Sequence, residues 1–157
     1  MAPTPPQDRR PIVISGPSGV GKGTPIQKLF HAHPDTFTTT ISHTTRKPRV
    51  GEVDGTIADQ TAKGLVIVLD IDVQGVKQVK ASPDIDARYV FIKPPSFEKL
   101  EARLRSRGTE REEDVLKRLV RAKVELKYAN TLDIFDIIVV NDDLEWAYRE
   151  LEEYVFR

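Results

Sequence analysis

The sequence predicts a three-layer α/β domain with a five-stranded, mainly parallel sheet. Short runs rich in β-branched and aromatic residues alternate with helical patterns, and this alternation is typical of such domains. The runs around residues 12, 67, 90 and 138 are almost continuously apolar, as strands buried on both faces are. The predicted strands are 11–15, 36–42, 65–72, 87–94 and 135–142.

Helical patterns fill several of the intervals between these strands. One follows a glycine-rich turn at 24–32, and another starts at Ser96, a favourable N-cap residue, and runs to 107. A third spans 112–130, where apolar residues lie along one stripe, and the last covers 143–156 behind an aspartate cap. We therefore expect one domain over 1–157, with its core in residues 10–42 and 65–157.

Composition excludes several function classes. Lysine plus arginine and aspartate plus glutamate are balanced at 24 each, whereas proteins that coat nucleic acid or anionic membranes usually have a net basic surface. The absence of cysteine excludes disulfides, thiol catalysis and cysteine-based metal sites. No signal peptide and no run of about 18 apolar residues occurs. We expect a soluble, cytoplasmic monomer without a nucleic-acid or membrane partner.

The stretch "ISGPSGVGKGT" (14–24) has the pattern of a phosphate-binding loop. Gly16, Gly21 and Lys22 match G-x-x-x-x-G-K between a predicted strand and a predicted helix. Glycines let several backbone N–H groups turn towards one anion, and the helix N-terminus adds its positive end. The alternative, an ordinary glycine-rich turn, explains the lysine less well. We expect ATP to contact six residues here: Gly19, Val20, Gly21, Lys22, Gly23 and Thr24.

One position departs from this pattern. Gly23 stands where a serine or threonine usually follows the lysine, and Thr24 comes one residue later. The hydroxyl that contacts Mg²⁺ in such loops is therefore displaced, and we expect Thr24 to reach Mg²⁺ through water.

A second cluster of cations lies in "ISHTTRKPRVGE" (41–52). Ser42, Arg46, Lys47 and Arg49 follow the second predicted strand, and arginine forks match phosphate oxygens bidentately. The alternative reading of these charges is a solvated basic loop.

Five blocks in order give the chain a recognisable resemblance. "IVISGPSGVGKGT", "SHTTRKPRVGEVDG", "LDIDVQGVKQVK", "RSRGTE…KRL" and "IVVNDD" resemble guanylate kinases from about residue 10 to the C-terminus. That family transfers a phosphoryl group from ATP to GMP with Mg²⁺, so the resemblance implies ATP and GMP as substrates and a P-loop fold.

The resemblance also assigns roles to individual residues. Three sets follow from it: Ser42, Arg46, Arg49 and Asp72 for GMP; Asn141 and Asp142 for the adenine of ATP; and Lys22, Arg49, Arg107 and Arg118 for catalysis. Asp70 is expected to act on Mg²⁺ through water. A mobile lid is expected at about 105–115. Lys117 and Arg121 are expected to be solvent-facing or salt-bridged and are left out of the site.

The family's small GMP-binding lobe is largely missing. In guanylate kinases "GEVDG" continues into a segment with two phosphate-binding tyrosines and a guanine-reading glutamate, whereas here Gly55 is followed by "TIADQTAKG". Residues 43–64 are the expected remnant of the lobe, with roughly three dozen residues absent. Either the numbering runs across an omitted mobile segment, which we favour, or the segment is deleted.

Two other functions stay open at this stage. One is a non-catalytic guanylate-kinase-like module that binds protein segments, although such a module would be expected to have a degraded phosphate loop. The other is a kinase for a different nucleoside monophosphate, because the base-reading segment is missing.

Overall fold

The computed structural model spans 157 residues and describes residues 6, 8–17, 19–39, 63–83, 85–106, 108, 111–131 and 134–157. In the described residues the strands are β1 (Ile12–Ser15), β2 (Phe37–Thr39), β3 (Val66–Asp70), β4 (Arg88–Lys93) and β5 (Ile137–Val140). The helices are α1 (Gly23–Ala32), α2 (Val73–Ala81), α3 (Phe97–Ser106), α4 (Glu112–Ala129) and α5 (Leu144–Val155).

The five strands form one parallel sheet in the order β2-β3-β1-β4-β5. β1 is central because all four of its residues are buried and it pairs with β3 on one side and β4 on the other. The register places Ile14 beside Asp70 of β3 and beside Val90 of β4. The carboxyl end of β1 therefore lies next to the carboxyl end of β3, where ligands gather in open α/β sheets.

Helices cover both faces of the sheet. On one face α1 and α5 pack against β1, with Leu29 and Leu151 fully buried in the shared core. On the other face α2 packs through Val76 and Val79. A smaller cluster joins α3 to α4 through Leu100 and Leu119. The predicted three-layer α/β architecture with a five-stranded parallel sheet is confirmed.

Two details differ from the sequence-based prediction. β5 was expected to be buried on both faces, but only Val139 is fully buried, because β5 pairs with β4 alone. The helix α2 was not predicted. Its apolar residues Val73, Val76 and Val79 recur every three positions, and Asp72 caps it by accepting a hydrogen bond from the Gly75 N–H at 2.8 Å.

The start and the end of the described core are joined by a buried arginine. Arg88 of β4 is 2% exposed and donates to the Val155 carbonyl at 3.0 Å and to the Asp8 carbonyl at 2.8 Å. The Asp8 carboxylate in turn accepts hydrogen bonds from Arg10, including one from Nε at 3.1 Å and one from the terminal nitrogen at 2.8 Å. These contacts hold residues 8–10 against β4 and α5.

Several predictions fall on residues outside the described part: the end of the second strand beyond 39, the lobe remnant at 43–64 up to Ala62, and residues 107, 109 and 110 of the lid. The spacing of Gly55 and Thr56 also lies outside it. The choice between an omitted segment and a deleted one therefore stays open.

In the ranges that the structure describes, no helix combines the length and the apolarity needed to cross a bilayer.

Candidate active site

The loop between β1 and α1 folds back tightly on the end of the sheet. A Cβ on Gly16 would lie 2.4 Å from the Ile92 carbonyl oxygen, so only glycine fits there. Gly21 has φ +83°, a conformation that residues with a Cβ rarely adopt. The glycine spacing that predicted a phosphate loop therefore has a steric reason in this chain.

Lys22 ends this loop and points its charge at the edge of the sheet. Its Nζ lies 3.2 Å from an Asp70 oxygen and 3.4 Å from the Gly16 carbonyl oxygen. The lysine side chain is 23% exposed, so its charge is accessible but already has partners. An anion entering the loop would compete with Asp70 for this charge.

The N-terminus of α1 is open to an anion. Lys22 occupies its N-cap position, and no side chain of the helix makes a capping hydrogen bond there. The first turn contains no acidic residue. Unsatisfied N–H groups and the helix dipole at such an end favour negative charge.

Two carboxylates lie at the carboxyl end of β3, at the same edge of the sheet. Asp70 is its last residue and pairs with Lys22. Asp72 uses one oxygen to cap α2 and accepts a hydrogen bond on the other from Arg121 at 2.7 Å. Asp72 thus caps α2, and it also lines the cavity described next.

A cavity of about 550 Å³ separates the phosphate loop from α4. Its lining comes from the loop, the end of β3 and one face of α4. From α4 it takes Arg118, Arg121 and Glu125, which are spaced so that they share one helix face. The loop and strand side of the lining comprises Gly16, Pro17, Gly19, Gly21, Lys22, Gly23, Asp70 and Asp72.

Glu125 is a buried carboxyl group in this cavity wall. The residue is 5% exposed, and burial raises the pKa of its carboxyl above the ordinary value, with the Asp72 charge acting in the same direction. Arg121, whose Nε lies 3.7 Å from Glu125, and Lys22 oppose that increase in pKa. Glu125 therefore balances part of the positive charge around the cavity.

Residues expected to bind the adenine of ATP lie on the far side of the loop. Asn141 is 7% exposed, and its side-chain amide donates to the Val20 carbonyl at 2.8 Å. Arg103 of α3 donates to the same carbonyl at 3.2 Å and to the Asn141 carbonyl at 3.3 Å. Asp142 is paired with Lys99 at 3.3 Å in an exposed position. Asn141 and Arg103 thus support the loop from behind.

Two predicted ATP contacts also lie outside the cavity lining. Val20 is fully buried, and its N–H donates to the Pro17 carbonyl at 3.2 Å, so this N–H is occupied in the structure. Thr24 lies in the first turn of α1 and is exposed.

Of the predicted site residues, the structure brings together Gly19, Gly21, Lys22, Gly23, Asp70, Asp72 and Arg118 around the cavity. Ser42, Arg46, Arg49 and Arg107 lie outside the described residues. Arg121 was expected to be solvent-facing or salt-bridged, and its ion pair with Asp72 confirms this, but it also belongs to the cavity lining. Sequence reasoning missed Glu125 and Arg103. For Arg121 and Glu125 a signal existed, because both share a helix face with Arg118.

Comparison with known proteins connects this site to one family. The guanylate kinase family model matches residues 8–60 and 56–157. The guanylate kinase of Schizosaccharomyces pombe is 43% identical, over 91% of this chain and 88% of the relative. The guanylate kinase of Homo sapiens is 36% identical, over 92% of this chain and 91% of the relative.

The alignments also show where this chain is shorter. The alignment with the Schizosaccharomyces pombe protein runs over 179 positions, whereas 91% of 157 residues is about 143. About 36 aligned positions therefore have no residue of this chain, in agreement with the three dozen expected. The family model is matched in two stretches that meet at residues 56–60, next to the junction after Gly55.

Solved structures agree in fold. The guanylate kinase of Anaplasma phagocytophilum has a TM-score of 0.57 at 17% identity, covering 93% of this chain and 84% of that chain. An SH3-kinase fragment of tight junction protein 3 has a TM-score of 0.62 at 18% identity, over 97% of this chain and 58% of that chain. Identities this low show the fold alone. The matched family model and the curated relatives, together with the loop and cavity described above, establish that this chain belongs to the guanylate kinase family.

Proposed function

We propose that this protein transfers the γ-phosphoryl group of ATP to GMP, giving ADP and GDP. The observation that best supports this reaction is the glycine loop ending in Lys22, which faces Arg118 across the cavity. Family membership supports the same reaction.

The phosphates of ATP would bind at the loop and the open N-terminus of α1. Lys22 would leave Asp70 and contact the phosphate oxygens, because these bring more negative charge than a single carboxylate. Its 23% exposure and its position beside the cavity support this exchange.

Cations around the cavity would stabilise the phosphoryl group during transfer. Phosphoryl transfer needs no protein nucleophile, because charge on the moving group is the main obstacle. Lys22 and Arg118 line opposite sides of the cavity and would approach that group. Arg49 and Arg107 are proposed to join them, on the strength of the sequence motifs that contain them.

Mg²⁺ is expected to accompany ATP, and the residues present fit it. Kinases hold Mg²⁺ through one or two carboxylates plus substrate phosphates, and Asp70 is a carboxylate in the cavity lining. Within the part of the chain that the structure describes, no cluster of three or more His, Cys, Asp or Glu residues is arranged to hold a metal ion alone. Asp70, and Thr24 through water, would therefore hold an ion brought by ATP. The bound ion neutralises charge on the phosphate oxygens.

GMP would bind in the same cavity, next to the phosphates of ATP. Asp72 is part of the cavity lining, and its carboxylate can only accept hydrogen bonds when ionised. Ser42, Arg46 and Arg49 are proposed to hold the GMP phosphate.

A coupled assay that follows ADP release tests the proposal. We expect turnover with ATP plus GMP, and less with AMP or UMP at equal concentration. Faster turnover with AMP or UMP than with GMP would favour a kinase for another monophosphate. Tight binding of both nucleotides without ADP release above the rate with ATP alone would favour a non-catalytic module instead.

A monomeric state, a cytoplasmic location and the absence of a nucleic-acid partner stay predictions from composition and family resemblance. Sedimentation of the purified chain tests the monomeric state.

A further inference from the structure

The outer face of α4 carries an apolar stripe that the fold leaves uncovered. Leu116, Val120 and Val124 recur every fourth residue, so they lie along one side of the helix. They are 49%, 65% and 61% exposed. In the described part of the chain, Trp146 is the one other large apolar residue that is strongly exposed. Leu116, Val120 and Val124 are called the outer stripe below.

The outer stripe faces neither the core nor the cavity. Leu119 of α4 packs into the cluster shared with α3, whereas Arg118 and Glu125 line the cavity. A helix turns by about 100° per residue, so the outer stripe lies on a third side, away from both. A partner bound to the outer stripe would therefore leave the cavity open.

Charges of opposite sign lie at the two ends of the outer stripe. Glu113 precedes Leu116 by three residues and Lys127 follows Val124 by three, so both charges lie on the side of the helix that carries the stripe. Both residues are exposed. In the described ranges neither Glu113 nor Lys127 forms an ion pair. This face is thus apolar at its centre, negative towards the helix N-terminus and positive towards its C-terminus.

Such a face is complementary to a second copy of itself in the antiparallel orientation. Leu116 and Val124 lie four residues on either side of Val120, and a two-fold axis at Val120 would bring each against the other in the partner. Glu113 and Lys127 lie seven residues on either side, so the same axis would bring unlike charges together at both ends. Parallel pairing would bring like charges together instead, which is unfavourable.

We propose that the outer stripe is a self-association face, through which two copies of this chain pair in the antiparallel orientation about an axis at Val120. The inference does not depend on the proposed reaction. Standard interfaces bury about 800 Å² on each partner, and three apolar side chains with a charge at each end cover less, so the dimer is weak. We expect a dissociation constant of roughly 10⁻⁴ M. The chain is then monomeric when dilute, in keeping with the expectation from composition, and pairs when concentrated.

Sedimentation equilibrium over a range of about 5–500 μM tests the pairing. The weight-average mass of the parent chain should rise from 17.7 kDa towards twice that value. Val120→Asp would place two carboxylates together at the axis and should weaken association by about tenfold or more. Trp146→Ala is the matched control, because Trp146 is 61% exposed on a different helix, and it should associate like the parent.

Charge reversal tests the antiparallel orientation. Glu113→Lys and Lys127→Glu should each weaken association by about three- to tenfold, since each places like charges together at both ends of the pair. The double variant should associate like the parent, because unlike charges meet again. Circular dichroism checks that the helix is retained, since both changes also oppose the helix dipole.

A single thiol reports the contact directly, because the chain contains no cysteine. Val120→Cys should form a disulfide-linked dimer on mild oxidation, since a two-fold axis brings the two thiols together. Trp146→Cys is the control and should cross-link more slowly. Equal rates for the two variants would show random collision and would count against the inference.

Three sedimentation results would also overturn the inference. A parent chain that stays monomeric at the highest concentration would leave the outer stripe to a different protein. Association that Val120→Asp does not weaken would place the contact on another face. A double charge variant that associates as weakly as the single variants would exclude the antiparallel pair.

Discussion

Lys22 has two partners in the structure, and phosphate would compete with both. The ion pair with Asp70 at 3.2 Å keeps the lysine directed at the sheet edge, and the Gly16 carbonyl at 3.4 Å holds it near the loop. This arrangement keeps a cation at the place where the phosphates of ATP are expected. The charge matters most when negative charge moves between substrates.

For Lys22→Ala we expect turnover to fall roughly 10²–10³-fold while the fold is retained, because the lost charge acts mainly in the transition state. The coupled assay measures turnover, and circular dichroism measures the fold. Lys28→Ala, on an exposed part of α1 that contacts Glu145, is the control and should keep full activity. A folded Lys22→Ala protein with more than about a tenth of the parent turnover would contradict the assigned role.

Single residues of the site were predictable to different degrees. Gly16, Gly21 and Lys22 were predictable from a local sequence pattern. The loop is short, and the close contacts that require glycine come from the neighbouring strand ends. Asp70 and Asp72 were assigned through the family resemblance, and the structure places both in the cavity lining. Arg121 was left out of the site and Glu125 was missed, since only the path of α4 across the sheet edge brings them to the cavity.

At the scale of elements, the sequence predicted strands well where they are buried and less well at the sheet edges. β1, β3 and β4 are almost fully buried, so their apolar runs are unbroken. β5 has the same apolar composition, but its edge position leaves three of its four residues partly exposed. Burial of an edge strand depends on sheet order, which local sequence does not contain.

The segment before β1 is an element whose stability should depend on pH. The hydrogen bond from the Arg10 side chain lowers the pKa of Asp8 from 3.8 to about 2 in the folded chain. Because the folded pKa is depressed, the ionised Asp8 stabilises the fold fully above about pH 4, and this contribution is lost as the pH falls towards 2.

For Asp8→Asn we expect a loss of about 1 kcal/mol in the free energy of unfolding at pH 7, allowing for the partly exposed side chains. The difference between variant and parent should shrink as the pH falls from 5 to 2. Urea unfolding at several pH values measures it. Asp86→Asn is the matched control, because Asp86 also contacts Arg10 but is 83% exposed. A difference that does not change with pH would refute the role of Asp8.

At the scale of the whole molecule, the alternation of strands and helices predicted the layers but not the order of the strands in the sheet. Both helix layers and the parallel sheet follow from the pattern, because crossover helices must cover both faces. In the order β2-β3-β1-β4-β5, β1 lies between β3 and β4, the two strands next to the phosphate loop. Which neighbours β1 takes is set by long-range packing, and no local run of residues specifies it.

The shortened acceptor lobe leads to a prediction about the 157-residue chain. Losing two hydrogen bonds to charged groups, at about 1.5–3 kcal/mol each, weakens binding by about 10²–10⁴. We therefore expect the 157-residue chain to bind GMP weakly, to discriminate poorly among monophosphates, and to hydrolyse ATP slowly when no acceptor is bound. The KM for ATP should be ordinary, since Lys22 and the loop glycines line the cavity and α1 follows them.

The matched comparison is a chimera in which the corresponding segment of the Schizosaccharomyces pombe relative is inserted between Gly55 and Thr56. We expect the insertion to raise kcat/KM for GMP by about 10² or more and to suppress ATP hydrolysis, because the added segment would contact the acceptor and exclude water. Equal kcat/KM for GMP in the chimera and the shorter chain would contradict the prediction. Guanine would then be recognised by residues that both proteins share, and Asp72 would be the first residue to substitute.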